Sequence, residues 1–357
     1  MNRRNFITTA SLAACAPLVA SSVTPKREEC PSTFIKPIVG SWFQFEHHNQ
    51  VGSKHWNAAL PQFTTEQWKT VVREMWEIGM EYLVLLSVAY EGKTYYPSEI
   101  KPRHDFVCPD PMEAVLTAAD ELGVKFFISN DYWTDWDRVH HGMTDSEAWY
   151  LREKGMNEVV EKYGHHKSFY GWYYPHETEL KEVFSQYAFD YTNRCSKIVR
   201  SLTPNALTMI APYGTQYVKY NEKFIKQLDS LDIDIICYQD EVGVYKIEVG
   251  EVAQYFELLY KMHTKAGRSR LWADIEMFDF EAEVYHSPAI PAKFERVLEQ
   301  MKCVSPYVEH TLCFQYQGFM NKPGTTAFAG LKEGTEKLYT DYMNWLNNIG
   351  WMNHRRK

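Results

Sequence analysis

An α/β fold, in the form of a single-domain (β/α)8 TIM barrel, is predicted by three features of this 357-residue sequence. Short β-branched or aromatic runs alternate with amphipathic helical stretches from about residue 36 to 350, which indicates βαβ units on a parallel sheet. Eight such runs recur at roughly 25- to 45-residue spacing, which favours a closed barrel over an open doubly wound sheet. The sequence contains no GxGxxG or GxxxxGK[ST] motif, which argues against the main phosphate-binding α/β folds.

Each predicted strand is a short run of β-branched or aromatic residues. In chain order the strands are Pro37–Gln44, Tyr82–Ser87, Val124–Asn130, Phe169–Pro175, Ala206–Pro212, Ile233–Gln239, Arg270–Glu276 and Thr311–Gln317. Eight is the number of strands that closes a barrel of this type.

Start signals of the intervening helices support this alternation. Thr64 and Gln67 form a capping box before the first helix. Asp110, followed by Pro111 at the first helical position, begins the second helix, and the segment Thr144–Glu147 begins the third. The later helices carry apolar residues at helical spacing, so each is expected to present one face to the sheet.

The chain divides into four predicted segments. Residues 1–22 have the layout of an export signal, because Arg3 and Arg4 precede a weakly apolar run rich in small residues. This stretch resembles a twin-arginine signal, and Leu12–Cys15 resembles a lipobox whose Cys15 would carry a lipid anchor. A short linker over residues 23–35, the catalytic barrel over 36–350 and a basic tail over 351–357 complete the chain. The sequence therefore predicts an exported protein, either periplasmic or an outer-surface lipoprotein.

Composition narrows the class of partner. The formal net charge is −8, which argues against a nucleic-acid partner, because such a partner requires a basic surface. Beyond a mixed stretch at the N-terminus, no apolar run reaches the roughly 18 residues of a membrane span. Aromatic residues make up 15% of the chain, a share that either fills the core or supplies flat rings for stacking on sugars.

Polar and aromatic residues gather at the predicted C-terminal ends of the strands, where barrels of this kind carry their active sites. Glu177 after the fourth strand and Glu276 at the end of the seventh are the candidate catalytic residues. Candidate substrate-binding residues near the same strand ends are Trp42, Gln44, Glu46, Asn130, Trp133, Tyr173, His176, Tyr213, Tyr238, Gln239, Asp240, Gln315 and Tyr316.

Hydrolysis of a glycosidic bond needs one carboxylic acid to protonate the leaving oxygen and a second carboxylate on the opposite face of the sugar. Placement of two glutamates after strands four and seven resembles the clan A glycoside hydrolases. The resemblance implies that Glu177 is the acid/base, that Glu276 is the nucleophile and that the mechanism is retaining. Two departures affect substrate contacts: His176 stands where the clan has Asn, and the eighth strand ends in Gln and Tyr where the clan usually has Trp.

Four segments carry a second resemblance, to a bacterial domain-of-unknown-function family described as glycosyl hydrolases with a TIM-barrel fold. The segments are Gly171–Glu177, Ile210–Tyr213, Tyr238–Gly243 and Leu271–Phe278, and they occur in the order of the family's motifs. The resemblance covers about residues 36 to 350. It implies a barrel and a carbohydrate substrate without specifying the sugar.

Two alternatives remain open at this point. The first is a metal-dependent hydrolase or isomerase on the same barrel, with His47, His176, Asp274 and Glu276 as ligands; our primary prediction includes neither a metal nor a cofactor. The second is a non-catalytic carbohydrate-binding barrel. Asp274 points to the same side of its strand as Glu276, where it is expected to pair with a barrel lysine or arginine or to tune its neighbour's pKa.

Overall fold

Eight parallel strands form a closed barrel in the computed structural model, which describes residues 34–134 and 136–351. Each strand pairs with the next along the chain, and the eighth pairs with the first. The predicted (β/α)8 barrel is therefore confirmed. The strands are β1 (Ile38–Phe43), β2 (Tyr82–Leu85), β3 (Lys125–Ser129), β4 (Phe169–Tyr173), β5 (Leu207–Ile210), β6 (Ile235–Gln239), β7 (Arg270–Glu276) and β8 (Thr311–Phe314).

Helices follow every barrel strand and surround the barrel. They are α1 (Thr65–Glu77), α2 (Pro111–Leu122), α3 (Val139–Thr144), α4 (Ser146–Tyr163), α5 (Gln186–Leu202), α6 (Glu222–Ser230), α7 (Val249–Ala266), α8 (Phe294–Val304) and α9 (Lys332–Asn348). The loops after β2 and β7 each contain a short antiparallel hairpin, at Ala89–Thr94 and Phe278–Pro291 respectively.

The predicted helix starts agree with the structure. Thr64 caps α1 and forms the full capping box with Gln67, and the Asp110 side chain accepts the backbone N–H of Glu113 at the start of α2. The third predicted start belongs to α4, whose N-cap is Asp145. The sequence did not reveal the short helix α3 that comes directly before it.

Alternate residues of the strands enter two separate apolar clusters. One lies inside the barrel and the other lies between the sheet and the helices, as expected for strands whose side chains alternate between faces. In β4 and just after it, Tyr173 points into the barrel, whereas Trp172 and Tyr174 pack outward against the helical layer. The direction of a side chain at a strand end therefore decides whether it can reach the barrel mouth.

The predicted export signal and most of the predicted linker lie outside the described residues, as does the C-terminal tail beyond Trp351. Trp351, the first residue of the predicted tail, packs against the apolar clusters. Within the described part of the chain, none of the helices is long and apolar enough to cross a membrane.

Candidate active site

The C-terminal ends of the barrel strands surround a cavity of about 440 Å³. Residues at or after the end of every barrel strand contribute to its lining, as expected for an active site of this fold. The cavity brings together four of the predicted site residues, which are Glu177, Tyr213, Gln239 and Glu276. Further lining residues that carry polar or aromatic chemistry are His47, His48, Asn49, Trp56, Tyr132, Trp136, Asp137, Glu241, Lys246, Asp274, Phe278, Phe280, Tyr285, Phe314 and Phe319.

Glu177 lies four residues beyond the end of β4 and is partly exposed to the cavity. Tyr173 lies inside the barrel and donates a hydrogen bond from its hydroxyl to the Glu177 carboxylate, at 3.3 Å. Burial raises the pKa of Glu177 to about 7, while hydrogen bonds from Gln239 and Tyr173 and the charge of Lys246 oppose the rise. A carboxyl with this pKa can both donate and accept a proton near neutral pH.

Glu276, the last residue of β7, is buried and is held by backbone contacts. The backbone N–H of Val244 donates to its carboxylate at 3.0 Å, and its own N–H donates to Asp240 at 3.1 Å. A Cβ at Gly243 would lie 2.9 Å from the Glu276 Cβ, so only glycine permits this close approach. Burial, followed by the charge of Asp240, raises the pKa of Glu276, and burial likewise raises the pKa of Asp240.

Asp274 lies two residues before Glu276 and lines the same cavity. One of its oxygens is buried without a hydrogen-bond partner among the described residues. Burial raises the pKa of Asp274 well above its usual range, and the nearby charges of Glu276, Asp240 and Glu177 add to the rise. Of the two predicted roles, pairing with a lysine or arginine is absent from the described contacts, and Asp274 instead belongs to a group of mutually interacting carboxyls.

Lys246 is the one lysine or arginine among the described residues that line the cavity. Its ammonium lies 4.4 Å from the centre of the Tyr213 ring and 3.6 Å from the carboxylate of Glu241. Glu241 in turn accepts the backbone N–H groups of Gly214 and Thr215. These contacts join the loops after β5 and β6 and fix the Tyr213 ring at the cavity wall.

Aromatic rings form two walls of the cavity. On one wall, His48 packs against Trp136, with ring centroids 4.2 Å apart, and against Tyr132 at 5.8 Å. Burial lowers the pKa of His48 to about 4 and lowers that of His47 well below its usual range, so both imidazoles are neutral at pH 7. The other wall contains Trp56, Phe278, Phe280, Tyr285 and Phe319, which form a chain of ring contacts.

His176 directly precedes Glu177 but points away from the main cavity into a buried ionic cluster. Its Nε2 lies 3.0 Å from the Asp131 carboxylate, which also pairs with the Arg152 guanidinium. The guanidinium packs on the rings of Trp149 and Tyr191, at 4.2 and 4.9 Å. His176, which the sequence predicts to bind substrate, thus lies outside the lining of the main cavity and anchors the segment that carries Glu177.

Gly142 of α3 supports the same segment. A Cβ there would lie 2.4 Å from the His176 ring, so we expect Gly142→Ala to displace the imidazole and to lower the free energy of unfolding by about 1–3 kcal/mol. Gly250, within α7, has open space around its would-be Cβ, and Gly250→Ala should instead stabilise by up to about 1 kcal/mol. Urea denaturation of both variants checks the difference. Equal stabilities would show that the His176 ring does not constrain Gly142.

Several predicted substrate-binding residues lie beneath the cavity. Trp42 and Tyr173 form an edge-on ring pair inside the barrel, 5.8 Å apart, and neither lines the cavity. Asp240 is buried and accepts hydrogen bonds from Gln300 and from the backbone of Glu276. These three residues, which the sequence predicts to bind substrate, are absent from the cavity lining and support the strand ends from below.

Others face the helical layer. The Tyr238 hydroxyl contacts His263 of α7 at 3.1 Å, because its strand neighbour Gln239 takes the cavity side. Asn130 donates to the sulfur of Cys195 on α5, and Trp133 donates to the Asn130 carbonyl. These three residues, also predicted to bind substrate, are absent from the cavity lining.

The remaining predicted residues surround the junction of β8 and β1. Gln44 pairs with Gln317 through its backbone N–H and carbonyl, and the side-chain amide of Gln315 donates to the Gln317 carbonyl. Tyr316 donates to Glu74 of α1, and Glu46 accepts from Gln50. None of the predicted residues in this group lines the cavity.

Sequence reasoning missed the loop residues of the cavity, above all His48, Trp56, Trp136, Lys246 and Tyr285. These residues lie between five and thirteen positions beyond the end of a barrel strand, so strand position alone does not place them. The one available signal for these loop residues was the high aromatic content of the sequence, to which Trp56, Trp136 and Tyr285 contribute.

The four ligands of the alternative metal site do not form a metal-binding group among the described residues, and His176 contacts Asp131 instead. Among the described residues, the one group of three or more His, Cys, Asp or Glu side chains with a metal-binding arrangement is Glu113, His165 and His166. That group lies outside the cavity.

Comparison with protein families identifies residues 38–327 with the family described as a domain of unknown function, DUF4434. The chain belongs to this family. The sequence-based resemblance to a domain-of-unknown-function barrel family is thus confirmed. No curated protein sequence matches the chain.

Solved structures share the fold at low sequence identity. A crystal structure from Bacteroides thetaiotaomicron, described as a "putative alpha-L-fucosidase", has a TM-score of 0.67 and 19% identity, over 93% of this chain and 99% of that one. An endo-1,4-beta-mannanase from Rhizomucor miehei has a TM-score of 0.54 and 10% identity, over 89% and 97%. An endo-beta-1,4-mannanase from Thermotoga petrophila has a TM-score of 0.53 and 12% identity, over 89% and 78%. At these identities the similarity establishes the barrel fold.

Proposed function

We propose that this protein is a glycoside hydrolase, with Glu177 as acid/base and Glu276 as nucleophile. The observation that carries the proposal is that two glutamates, supplied by the ends of β4 and β7, line one cavity with aromatic walls. Both structural neighbours named as mannanases and the neighbour named as a fucosidase act on sugars according to their descriptions, which favours a carbohydrate as the substrate class.

Burial raises the pKa of both glutamates, so the proposed roles rest on their contacts and on ionisation of Glu276 in the reactive complex. Glu177 has a pKa raised to about 7 and is accessible from the cavity, which favours protonation of the glycosidic oxygen followed by activation of water. Glu276 is fixed by the Val244 N–H, which orients one carboxylate oxygen and leaves the other for attack at the anomeric carbon. A retaining reaction would place the two carboxyls about 5–5.5 Å apart in the productive complex.

The walls of the cavity suit the faces of a sugar ring. Tyr213, fixed by Lys246, and the His48–Trp136 pair present flat rings from different loops. Gln239 contributes an amide beside Glu177 and can hydrogen-bond a substrate hydroxyl. In this proposal Gln239 provides polar recognition near the acid/base, a contribution that His176 cannot make from its buried position.

The proposal is tested by hydrolysis of a panel of aryl glycosides and natural glycans with purified protein, in the presence and absence of EDTA. We expect turnover of at least one sugar that EDTA does not reduce. Turnover that is lost with EDTA and restored by a divalent ion would favour the metal-dependent alternative. Sugar binding without turnover across the panel would favour the non-catalytic barrel.

The pH profile provides a sharper check on Glu177. Because the acid form of Glu177 is lost above its pKa of about 7, kcat/KM should fall on the alkaline side by up to tenfold per pH unit. Tyr173→Phe removes a hydrogen bond that favours the carboxylate, so the pKa should rise and the alkaline limb should move up by about 0.5–1 pH unit. Tyr174→Phe, which loses only a contact to Ser196 on the outer face, is the matched control. If the alkaline limb does not move in Tyr173→Phe, it reports the titration of a group other than Glu177.

A further inference from the structure

Glu113, His165 and His166 meet on the outside of the barrel, where α2 packs against the loop between α4 and β4. One potential ligand atom from each of the three side chains lies within 4.8 Å of the others. His165 and His166 lie on the loop that leads into β4, and none of the three residues lines the cavity. None of these residues takes part in the proposed hydrolytic chemistry.

The imidazole of His166 is oriented by an outer carboxylate. Its Nδ1 lies 2.8 Å from Asp120, which is itself held by the backbone N–H of Ser168 at 2.6 Å. The His166 Nε2 is left facing Glu113, whose Oε2 lies 3.1 Å away. This arrangement, with a carboxylate behind the imidazole and a second ligand in front, recurs in metal sites of proteins.

Glu113 is oriented in the same way. Thr117, one helical turn further along α2, donates from its hydroxyl to Oε1 of Glu113 at 3.2 Å, which leaves Oε2 for the ligand position. The exposed ring of His165 lies beside His166, with ring centroids 4.3 Å apart. Two imidazoles and one carboxylate oxygen thus surround a point that solvent can reach.

We propose that Glu113, His165 and His166 bind a divalent transition-metal ion of the Zn²⁺ class. Two nitrogen ligands and one oxygen ligand match the preference of Zn²⁺, and a water molecule would complete a tetrahedron. Bonds of about 2.0–2.1 Å to a tetrahedral centre set ligand atoms roughly 3.3 Å apart, close to the observed separation of Nε2 and Oε2. Mg²⁺ and Ca²⁺, which prefer oxygen ligands, should bind poorly.

The ion would cross-link α2 to the loop that leads into β4. Its consequence is stability of the barrel, because an ion that binds only the folded chain shifts the unfolding equilibrium by mass action. An alternative explanation of the same contacts is that the His166 imidazole bridges Glu113 and Asp120 by hydrogen bonds without any metal. The two explanations differ in what His165 contributes, because His165 is needed only for the ion.

The test uses the untagged full-length protein, freed of metal with a chelator and dialysed. Titration calorimetry with ZnCl₂ should show one site per chain, and Zn²⁺ but not Mg²⁺ should raise the unfolding temperature. His165→Ala and Glu113→Gln should weaken Zn²⁺ binding at least tenfold, and Asp120→Asn by about 10- to 100-fold. His140→Ala, which removes an exposed histidine of another adjacent pair, is the matched control.

Three outcomes would overturn the proposal. They are absence of saturable Zn²⁺ binding at micromolar concentration, equal binding by His165→Ala and the wild type, and equal weakening by His140→Ala. Loss of stability in His166→Ala without any Zn²⁺-dependent shift in the wild type would instead identify the metal-free bridge. None of these readouts depends on hydrolytic activity, so the metal site and the proposed function fail independently.

Discussion

Glu177→Gln and Glu276→Gln should each reduce hydrolysis of the best substrate by about 10²- to 10⁴-fold or more, the range that general acid–base groups contribute. Gln keeps the size of each side chain and removes its proton chemistry. Because both groups have raised pKa values in the free protein, neutral Gln should also leave folding largely unchanged. Initial rates and thermal unfolding, measured side by side, separate the two effects.

Glu182→Gln is the matched control, since Glu182 lies in the same loop as Glu177, pairs with Lys219 and is absent from the cavity lining. It should retain activity within about twofold, as expected for an exposed ion pair. In Glu276→Ala, azide should restore turnover of an activated aryl glycoside as a glycosyl azide if Glu276 is the nucleophile. Wild-type rates in either Gln variant would overturn the two-carboxylate mechanism.

Asp131→Ala should be the most destabilising single substitution near the site, at about 3–5 kcal/mol, because it leaves the Arg152 guanidinium buried without its carboxylate. Burial alone would raise the Asp131 pKa, but Arg152 and His176 outweigh it and lower that pKa to about 2. The depressed pKa means that this contribution is fully present above the unfolded-state pKa of about 3.9 and is lost as pH falls toward 2. Urea denaturation between pH 2 and 7 measures both effects.

Glu153→Gln provides the comparison, because Glu153 pairs with Arg194 at the surface with both side chains about half exposed. It should cost at most about 1 kcal/mol. Asp131→Leu combined with Arg152→Met replaces the pair by apolar groups and should recover most of the lost stability. If Asp131→Ala costs no more than Glu153→Gln, the buried cluster does not hold the Glu177 segment.

Local signals in the sequence were sufficient to predict the fold. Capping residues such as Thr64 and Asp110 act within one turn of the helix they begin, so they can be identified without tertiary information. The eight predicted strands overlap the eight observed ones for the same reason, since composition and spacing are properties of the chain itself. The short helix α3 was missed because it has no start signal of its own: its N-cap residue is Arg138, whose side chain makes no capping hydrogen bond.

The sequence predicts the cavity residues that lie at or near the end of a strand. It does not predict those that a longer loop carries to the cavity. Glu276 ends β7 and Glu177 follows β4 closely, and both line the cavity. The alternation of side chains between the two faces of a strand could have placed Tyr238 correctly. Because Gln239 faces the cavity, its neighbour Tyr238 must face the helices. Trp56 and Trp136 reach the cavity through loops whose course depends on tertiary contacts.

The crowding of carboxyls around the cavity has a consequence for the charge of the substrate. Glu177, Glu276 and Asp274 all have raised pKa values, and Lys246 is already paired with Glu241. A sugar bearing a carboxylate or sulfate would raise those pKa values further and hold the nucleophile protonated when it must be ionised. We therefore expect uncharged glycans to be hydrolysed faster than acidic ones, because added negative charge disfavours the ionisation of Glu276.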